Sequence, residues 1–190
     1  MPEAGSNVIM QPPGTWPVLS DSRLRQFLRH WAAQRRDALL APRSKIDPLA
    51  MRECLPYLWI YRWDDGQGDF VCNLAGEAVN EAWGFGLAGR SLQQVMGAAN
   101  AAVVGERYRQ VLRLPALQYS WRPIAPGNAV EKVCHRLILP VADADGTAAA
   151  VLGMTVYDYD RFVDADKPIN VAPDVAMYAC ATLPRDLPPP

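Results

Sequence analysis

His135 is the side chain best placed for acid–base chemistry, because two aspartates follow it in the sequence. A histidine acts as a general base when a carboxylate orients its ring, so Asp143 or Asp145 would have to reach it. Both aspartates lie in a turn beyond Pro140, several residues along the predicted strand, and contact is not expected. The chain also lacks the GxSxG and HExxH motifs of hydrolases. No catalytic residue and no enzyme activity are predicted; a small enzyme of cone-like α+β fold is the third hypothesis.

The cysteines are widely separated and form no CxxC pair: Cys54, Cys72, Cys134 and Cys180. This spacing is not that of a disulfide framework. With only His30 and His135 as imidazole ligands, no metal site is predicted. The thiols are expected to be buried in the core.

Gly84, Gly86 and Gly89 superficially suggest a phosphate-binding loop. No GK[ST] follows them, so that interpretation is rejected. The three glycines are interpreted as corners between short helices.

Charge and hydropathy exclude several classes of protein. Lysine plus arginine number 19 and aspartate plus glutamate 20, for a formal net charge of −1, which argues against a nucleic-acid partner. The first nineteen residues lack the pattern of a signal peptide, and no apolar run approaches the roughly 20 residues of a membrane-spanning helix. A cytoplasmic location without membrane insertion is expected.

Proline content divides the chain into three parts. Residues 1–19 are predicted to be a flexible leader, 20–162 the folded domain, and 163–190 a proline-rich tail. The domain begins with an amphipathic helix over residues 21–36, whose apolar stripe is Leu24, Phe27, Leu28 and Trp31. Its arginines lie mostly off this stripe and indicate a solvated face, or a basic face for an acidic partner.

The remaining pattern is two strands, short helices, one longer helix and three strands. The strands are predicted at 58–63, 70–75, 117–124, 130–140 and 149–157, and the helices at 76–83, 91–96 and 100–114. The last strand is apolar on both sides from Val151 to Val156, so it should be covered on both faces. The first helix or a second copy of the chain could supply the outer cover, and a homodimer is predicted.

Four stretches in this order resemble the PAS fold, and in particular the single-domain PAS proteins common in proteobacteria. They are PRSKIDPL from Pro42, NLAGEAV from Asn73, GFGLAGRSL from Gly84, and HRLILPVADADG from His135 with VLGMTVYDY after it. One departure is Asn73, where such proteins commonly have arginine. The resemblance implies an α+β fold: a five-stranded antiparallel sheet with helices on one face, flanked by the N-terminal amphipathic helix.

The resemblance also implies a signal-sensing or regulatory role, often through a bound small molecule and often in a dimer. It implies no single cofactor. The flavin-binding members have a reactive cysteine in an NCRFLQ-like stretch, whereas Cys72 is followed by NLAGEA. Haem-binding members typically have a histidine on the long helix, and residues 100–114 contain none. Neither flavin nor haem is therefore expected, and the ligand is not identified.

Small-molecule sites have mostly apolar walls with a few polar groups, and seven residues are the candidates for such a lining. They are Phe70, Cys72, Trp83, Phe85, Tyr108, Trp121 and His135. The leading hypothesis is a cytoplasmic sensor without its own output domain, which signals by association with a partner protein. The second is a pure interaction and dimerisation module with a filled core. For each candidate residue, plain core packing is the alternative role.

Overall fold

The computed structural model describes residues 7–121, 133–158 and 174–188. Within them the helices are α1 (Ser22–Arg35), α2 (Glu77–Trp83) and α3 (Leu92–Arg113). The strands are β1 (Asn7–Met10), β2 (Ala41–Pro42), β3 (Leu58–Asp64), β4 (Asp69–Ala75), β5 (Ala116–Trp121), β6 (Val133–Ala142), β7 (Ala148–Asp158) and β8 (Asp174–Ala179). Single 3-10 turns occupy Arg43–Lys45, Leu49–Met51, Leu55–Tyr57 and Cys180–Thr182.

The strands form one sheet in the order β1-β8-β5-β6-β7-β3-β4, and β2 pairs with the end of β6. The five predicted strands are β3 to β7, and all their mutual pairings are antiparallel. The predicted α+β, PAS-like fold class is therefore confirmed. The sheet has more strands than the five expected, because β1, β2 and β8 add to it.

The added strands change the extent of the folded region. β1 lies inside the predicted leader and pairs in parallel with β8, which lies inside the predicted tail and pairs with β5. The described fold thus extends beyond residues 20–162 in both directions, and the predicted boundary at 162 lies outside the described residues. The physical reason is that β5 would otherwise leave an open edge, where even a short segment gains hydrogen-bond partners.

Helix α1 covers the outer face of the sheet, as its apolar stripe predicts. Asp21 caps it, because its Oδ1 accepts hydrogen bonds from the backbone N–H groups of Arg23 at 2.8 Å and Leu24 at 3.4 Å. All four stripe residues are buried, and Trp31 Nε1 donates to the carbonyl of Pro140 at 2.9 Å. The outer cover of β7 therefore comes from the same chain. The homodimer stays a prediction.

Several α1 arginines hold the segments that flank the domain. Arg25 donates to the carbonyls of Leu19 and Ser20, and Arg29 donates to that of Pro188. Arg35 is buried and donates to the carbonyl of Cys180 at 3.3 Å. These contacts engage part of the face that was predicted to be simply solvated.

Helices α2 and α3 cover the inner face. Ser91 begins α3 with a capping box in which its side chain and that of Gln94 exchange hydrogen bonds with each other's backbone. Gly97 interrupts α3 with φ 76° and ψ 160°. The helix is therefore kinked between the two segments that the sequence predicts separately.

Strand β4 lies at one edge of the sheet, and the chain before α3 covers part of that edge. The Cys72 N–H donates to Arg90 at 2.9 Å, and the Gly89 N–H donates to the Cys72 carbonyl at 2.7 Å. Cys72 is thus bonded on the side that faces away from β3, which protects the edge from pairing with another chain.

Gly153 on β7 makes room for Trp59. A Cβ atom at position 153 would overlap the indole ring of Trp59, which lies flat over the strand there. Because the two residues are directly paired in β3 and β7, the backbone cannot separate them without breaking the ladder.

We expect Gly153→Ala to lower the free energy of unfolding by about 1–3 kcal/mol, since the methyl group must displace a buried ring. Urea unfolding followed by circular dichroism measures it. Gly86→Ala is the matched control, because a Cβ there meets nothing within 4 Å and the backbone needs no positive φ. Equal stability of the two variants would contradict this account of the Trp59 site.

Candidate functional site

A small cavity lies between the inner face of the sheet and helices α2 and α3. Its volume is about 30 Å³, room for about two water molecules. It is lined by Trp59, Tyr61, Val79, Trp83, Leu87, Met96, Val104, Tyr108, Arg136, Thr155 and Tyr157. A small molecule larger than water therefore requires part of this lining to move.

Aromatic rings fill most of the space around the cavity. The ring of Tyr108 from α3 stacks on Trp59 with centroids 5.6 Å apart and lies 5.7 Å from that of Tyr61. Phe70 meets Tyr108 edge to face at 5.3 Å. These offset and edge contacts are the favoured geometries for aromatic packing, so this wall is well ordered.

A polar row crosses the inner face of the sheet. Arg136 on β6 is paired directly with Ser120 on β5 and with Thr155 on β7. Ser120 and Thr155 are buried, and Arg136 is half-buried. The Oγ1 atom of Thr155 accepts from Trp59 Nε1 at 2.9 Å and from Arg136 Nε at 3.2 Å.

The groups around Arg136 are uncharged. Burial raises the pKa values of the Tyr61 and Tyr108 hydroxyls, so both stay protonated and can donate hydrogen bonds. Burial alone would lower the pKa of Arg136, but Cys134 and the neighbouring tyrosines, which become anionic at the high pH where an arginine titrates, outweigh it and the net pKa shift is upward. The guanidinium is therefore positively charged at every pH at which the protein is folded.

Two of the predicted lining residues, Trp83 and Tyr108, border the cavity. Phe70, Cys72 and Phe85 belong to the same inner core, one layer behind it. His135 lies on the opposite face of the sheet, where its Nδ1 is 3.0 Å from the Tyr119 hydroxyl.

Trp121 is paired with His135 in the β5–β6 ladder, and its backbone is all that is described there. Contact of these candidate residues with a ligand stays a prediction.

Most residues of the lining were not predicted from the sequence, including Trp59, Tyr61 and Arg136. Successive side chains of a strand point to opposite faces of the sheet, so His135 and Arg136 cannot both face the helices. The prediction placed His135 on the inner face, whereas in the structure Arg136 lies there. Both faces of β6 carry apolar residues, so alternation alone does not say which face meets the helices.

The acid–base group considered in the third hypothesis does not assemble. His135 is separated from Asp143 by the length of β6, roughly 25 Å at the usual rise per residue. Asp143 is ion-paired with Arg62, and the Asp145 carboxylate accepts from Thr147. Asp47, at the start of a 3-10 turn, accepts from the N–H of Leu49.

Gly84, Gly86 and Gly89 have the spacing of a GxGxxG motif, but their context is not that of a dinucleotide site. They follow helix α2, whereas the dinucleotide motif follows a strand. Gly84 ends α2 in the left-handed region at φ 75°. Their prediction as corners between helices agrees with this placement.

A wider groove of about 630 Å³ opens at the surface where β2 meets the end of β6. Its walls include Arg43, Ser44, Asp143 and Asp145. Arg62 and Thr147 already engage the two aspartates, so the carboxylates of the groove are not free for a ligand. We therefore take the cavity between the sheet and helices α2 and α3 as the candidate site.

Within residues 7–121, 133–158 and 174–188, no three histidine, cysteine, aspartate or glutamate side chains are grouped as metal ligands. No helix in these same ranges is long and apolar enough to cross a membrane.

Comparison with known proteins agrees with the fold. The profile of the PAS domain family matches residues 19–156, most of the chain. The chain belongs to the PAS domain family. A solved structure of a sensory box sensor histidine kinase from Vibrio cholerae is similar at 16% identity, covering 56% of this chain and 85% of the kinase chain with a TM-score of 0.36. No curated protein matches.

The PAS match extends from Leu19 to Val156, so it includes α1 and both layers around the cavity. PAS domains are sensory and regulatory modules, and this chain contains one. The family resemblance inferred from the four sequence stretches is thereby confirmed.

We expect Thr155→Val to lower the free energy of unfolding by about 1–3 kcal/mol, because Trp59 Nε1 and Arg136 Nε lose their shared acceptor. Urea unfolding measures the loss. The double variant Trp59→Phe/Thr155→Val also removes the Trp59 Nε1 donor. Its loss in free energy of unfolding should therefore be smaller than the sum of the losses in the two single variants. Additive costs would mean that the Trp59–Thr155 hydrogen bond contributes nothing.

Cysteine reactivity gives a second test of this packing. Burial raises the pKa of the Cys72 thiol to about 11, from 9.0. The raised pKa leaves about 100-fold less thiolate at pH 8, the reactive form. Iodoacetamide should therefore modify Cys72 about 100-fold more slowly in the folded protein than in urea, as peptide mass spectrometry will show. Cys134 is half-buried and should react before it; faster reaction at Cys72 would rule out the closed packing.

Proposed function

We propose that this PAS protein is a cytoplasmic signal-sensing module whose input is a small molecule bound in the cavity between α2, α3 and the sheet. The observation that carries the proposal is the inner cavity itself, where a charged guanidinium stands among aromatic and aliphatic walls. Small-molecule sites combine apolar walls with a few polar groups in this way. The output is association with a partner protein.

Ligand entry and signalling would be the same event. The cavity of about 30 Å³ holds little more than two waters, so a bound molecule must displace the α2–α3 side of the lining. Gly84 directly after α2 and Gly97 within α3 have positive φ angles, and they are natural hinge positions. A ligand that binds only the opened arrangement shifts the population toward it.

The strand edge formed by β1 supports association with a second chain. Among the described strands β1 is the last on its side of the sheet, and its Ile9 and Met10 side chains are about half exposed. An edge with exposed apolar side chains is a ready template for strand addition. A homodimer or a signalling partner could pair there.

A pure interaction module is the second candidate, and the small size of the cavity favours it. In that case the core is filled by its own rings and no ligand enters. The association surfaces would be the same, but no ligand bound in the cavity would regulate them.

Native mass spectrometry of the protein purified from cells separates the two functions. We expect a small bound mass on the wild type, lost in Val104→Leu, because the added methylene group occupies the cavity that Val104 borders. Leu112→Met is the matched control: it also alters an apolar side chain of α3, but one outside this lining. The same spectra report the oligomeric state.

A wild type without any bound mass, at the same stability as Val104→Leu, would refute the sensor and favour the interaction module. A bound mass that survives equally in Val104→Leu would place the ligand elsewhere. A monomer at micromolar concentration would refute the homodimer.

A further inference from the structure

We propose that the cavity recognises a small organic monocarboxylate, with the guanidinium of Arg136 as its anion-binding group. The inference rests on the proposed function and adds to it the chemical class of the ligand. It depends on the position, partners and charge of Arg136.

The position of Arg136 is fixed by the polar row. Its Nε donates to Thr155 Oγ1 at 3.2 Å, which orients the planar guanidinium toward the cavity. Its two terminal nitrogens have no hydrogen-bond acceptor among the described residues. Arginine binds a carboxylate through two parallel N–H groups, so an oriented guanidinium with open terminal nitrogens is suited to this ligand.

The charge of Arg136 is not balanced within the described part of the chain. The ion pairs there join other arginines, and no carboxylate lies against Arg136. A guanidinium among aromatic rings is costly unless an anion pairs with it. Arg136 is also the one cationic side chain among the described cavity-lining residues, which matches a ligand with a single negative charge.

The other groups fit the two parts of such a ligand. The protonated hydroxyl of Tyr108 is a hydrogen-bond donor near Arg136, and a carboxylate accepts several such bonds, whereas the Tyr61 hydroxyl is already hydrogen-bonded to Cys72. Val79, Leu87 and Val104 form an apolar wall for a short hydrocarbon body. Trp83 and Met96 also border the cavity, and the unbranched Met96 side chain can change rotamer to enlarge it.

The test uses three carboxylates and their neutral amides: acetate with acetamide, benzoate with benzamide, and phenylacetate with phenylacetamide. Isothermal titration calorimetry and thermal unfolding are measured for wild type, Arg136→Met, Arg136→Gln and Arg136→Lys. Arg62→Met is the control for general loss of positive charge, because Arg62 lies on the outer face and pairs with Asp143. Circular dichroism establishes that each variant folds, and Arg136→Gln serves if Arg136→Met does not.

We expect at least one carboxylate to bind the wild type saturably and to raise its Tm, with its amide binding about tenfold to a hundredfold more weakly. Arg136→Met and Arg136→Gln should lose that preference, Arg136→Lys should keep part of it, and Arg62→Met should keep all of it.

Three results would overturn the inference in distinguishable ways. If amides bind as tightly as carboxylates, and equally to Arg136→Met, the anion specificity is wrong while a small-molecule function stands. If no carboxylate binds the wild type, the ligand class is wrong, and the bound mass on purified protein decides the proposed function separately. Equal losses in Arg136→Met and Arg62→Met would also overturn it, since they indicate nonspecific attraction.

Discussion

The burial of β7 on both faces is the constraint from which the architecture follows. Leu152, Met154 and Val156 belong to the outer core under α1, while Val151 belongs to the inner core under α3. A strand of this kind needs a layer on each side, and a sheet with only the α2–α3 layer would expose the outer row to water. Helix α1 supplies the second layer, and Trp31 ties it to β6 through a buried hydrogen bond. On the inner side the strand also has to admit Trp59, which only glycine at position 153 allows.

Local patterns predicted the elements whose stability is decided locally. The apolar stripe of α1, the neighbouring strands β3 and β4, and the two helical segments of α3 all follow from residue spacing. Strands β1 and β8 could not be predicted in this way, because their pairing depends on the open edge of β5, which exists only in the folded sheet. For the site, Trp83 and Tyr108 were found as large aromatics near the helices. Arg136 was not found, because which face of a strand packs against a helix depends on the whole sheet.

The inner core combines two features with opposite consequences for ligand binding. The rings of Trp59, Tyr61 and Tyr108 nearly close the space, which favours a rigid and empty core. The row of Ser120, Arg136 and Thr155 instead brings hydrogen-bonding groups and a charge into that core, at a cost that apolar residues would avoid. A core selected only for stability would not need the charge. The close ring packing and the charge of Arg136 are both explained if the inner core has two arrangements. One is closed and empty, and the other is open with the anion bound.

The way in which α1 is placed also restricts where another protein can bind. Much of the outer face is occupied by α1, which is joined to the C-terminal segment through Arg29 and Arg35. At the β4 edge, Gly89 and Arg90 already satisfy the backbone of Cys72. Of the sheet surfaces described, the β1 edge has no strand beyond it and exposes Ile9 and Met10. A partner that docks by strand addition would therefore meet the side of the sheet farthest from β4. Movement of α2 and α3 could reach that side through Met177 of β8, which packs in the same inner core as Tyr108.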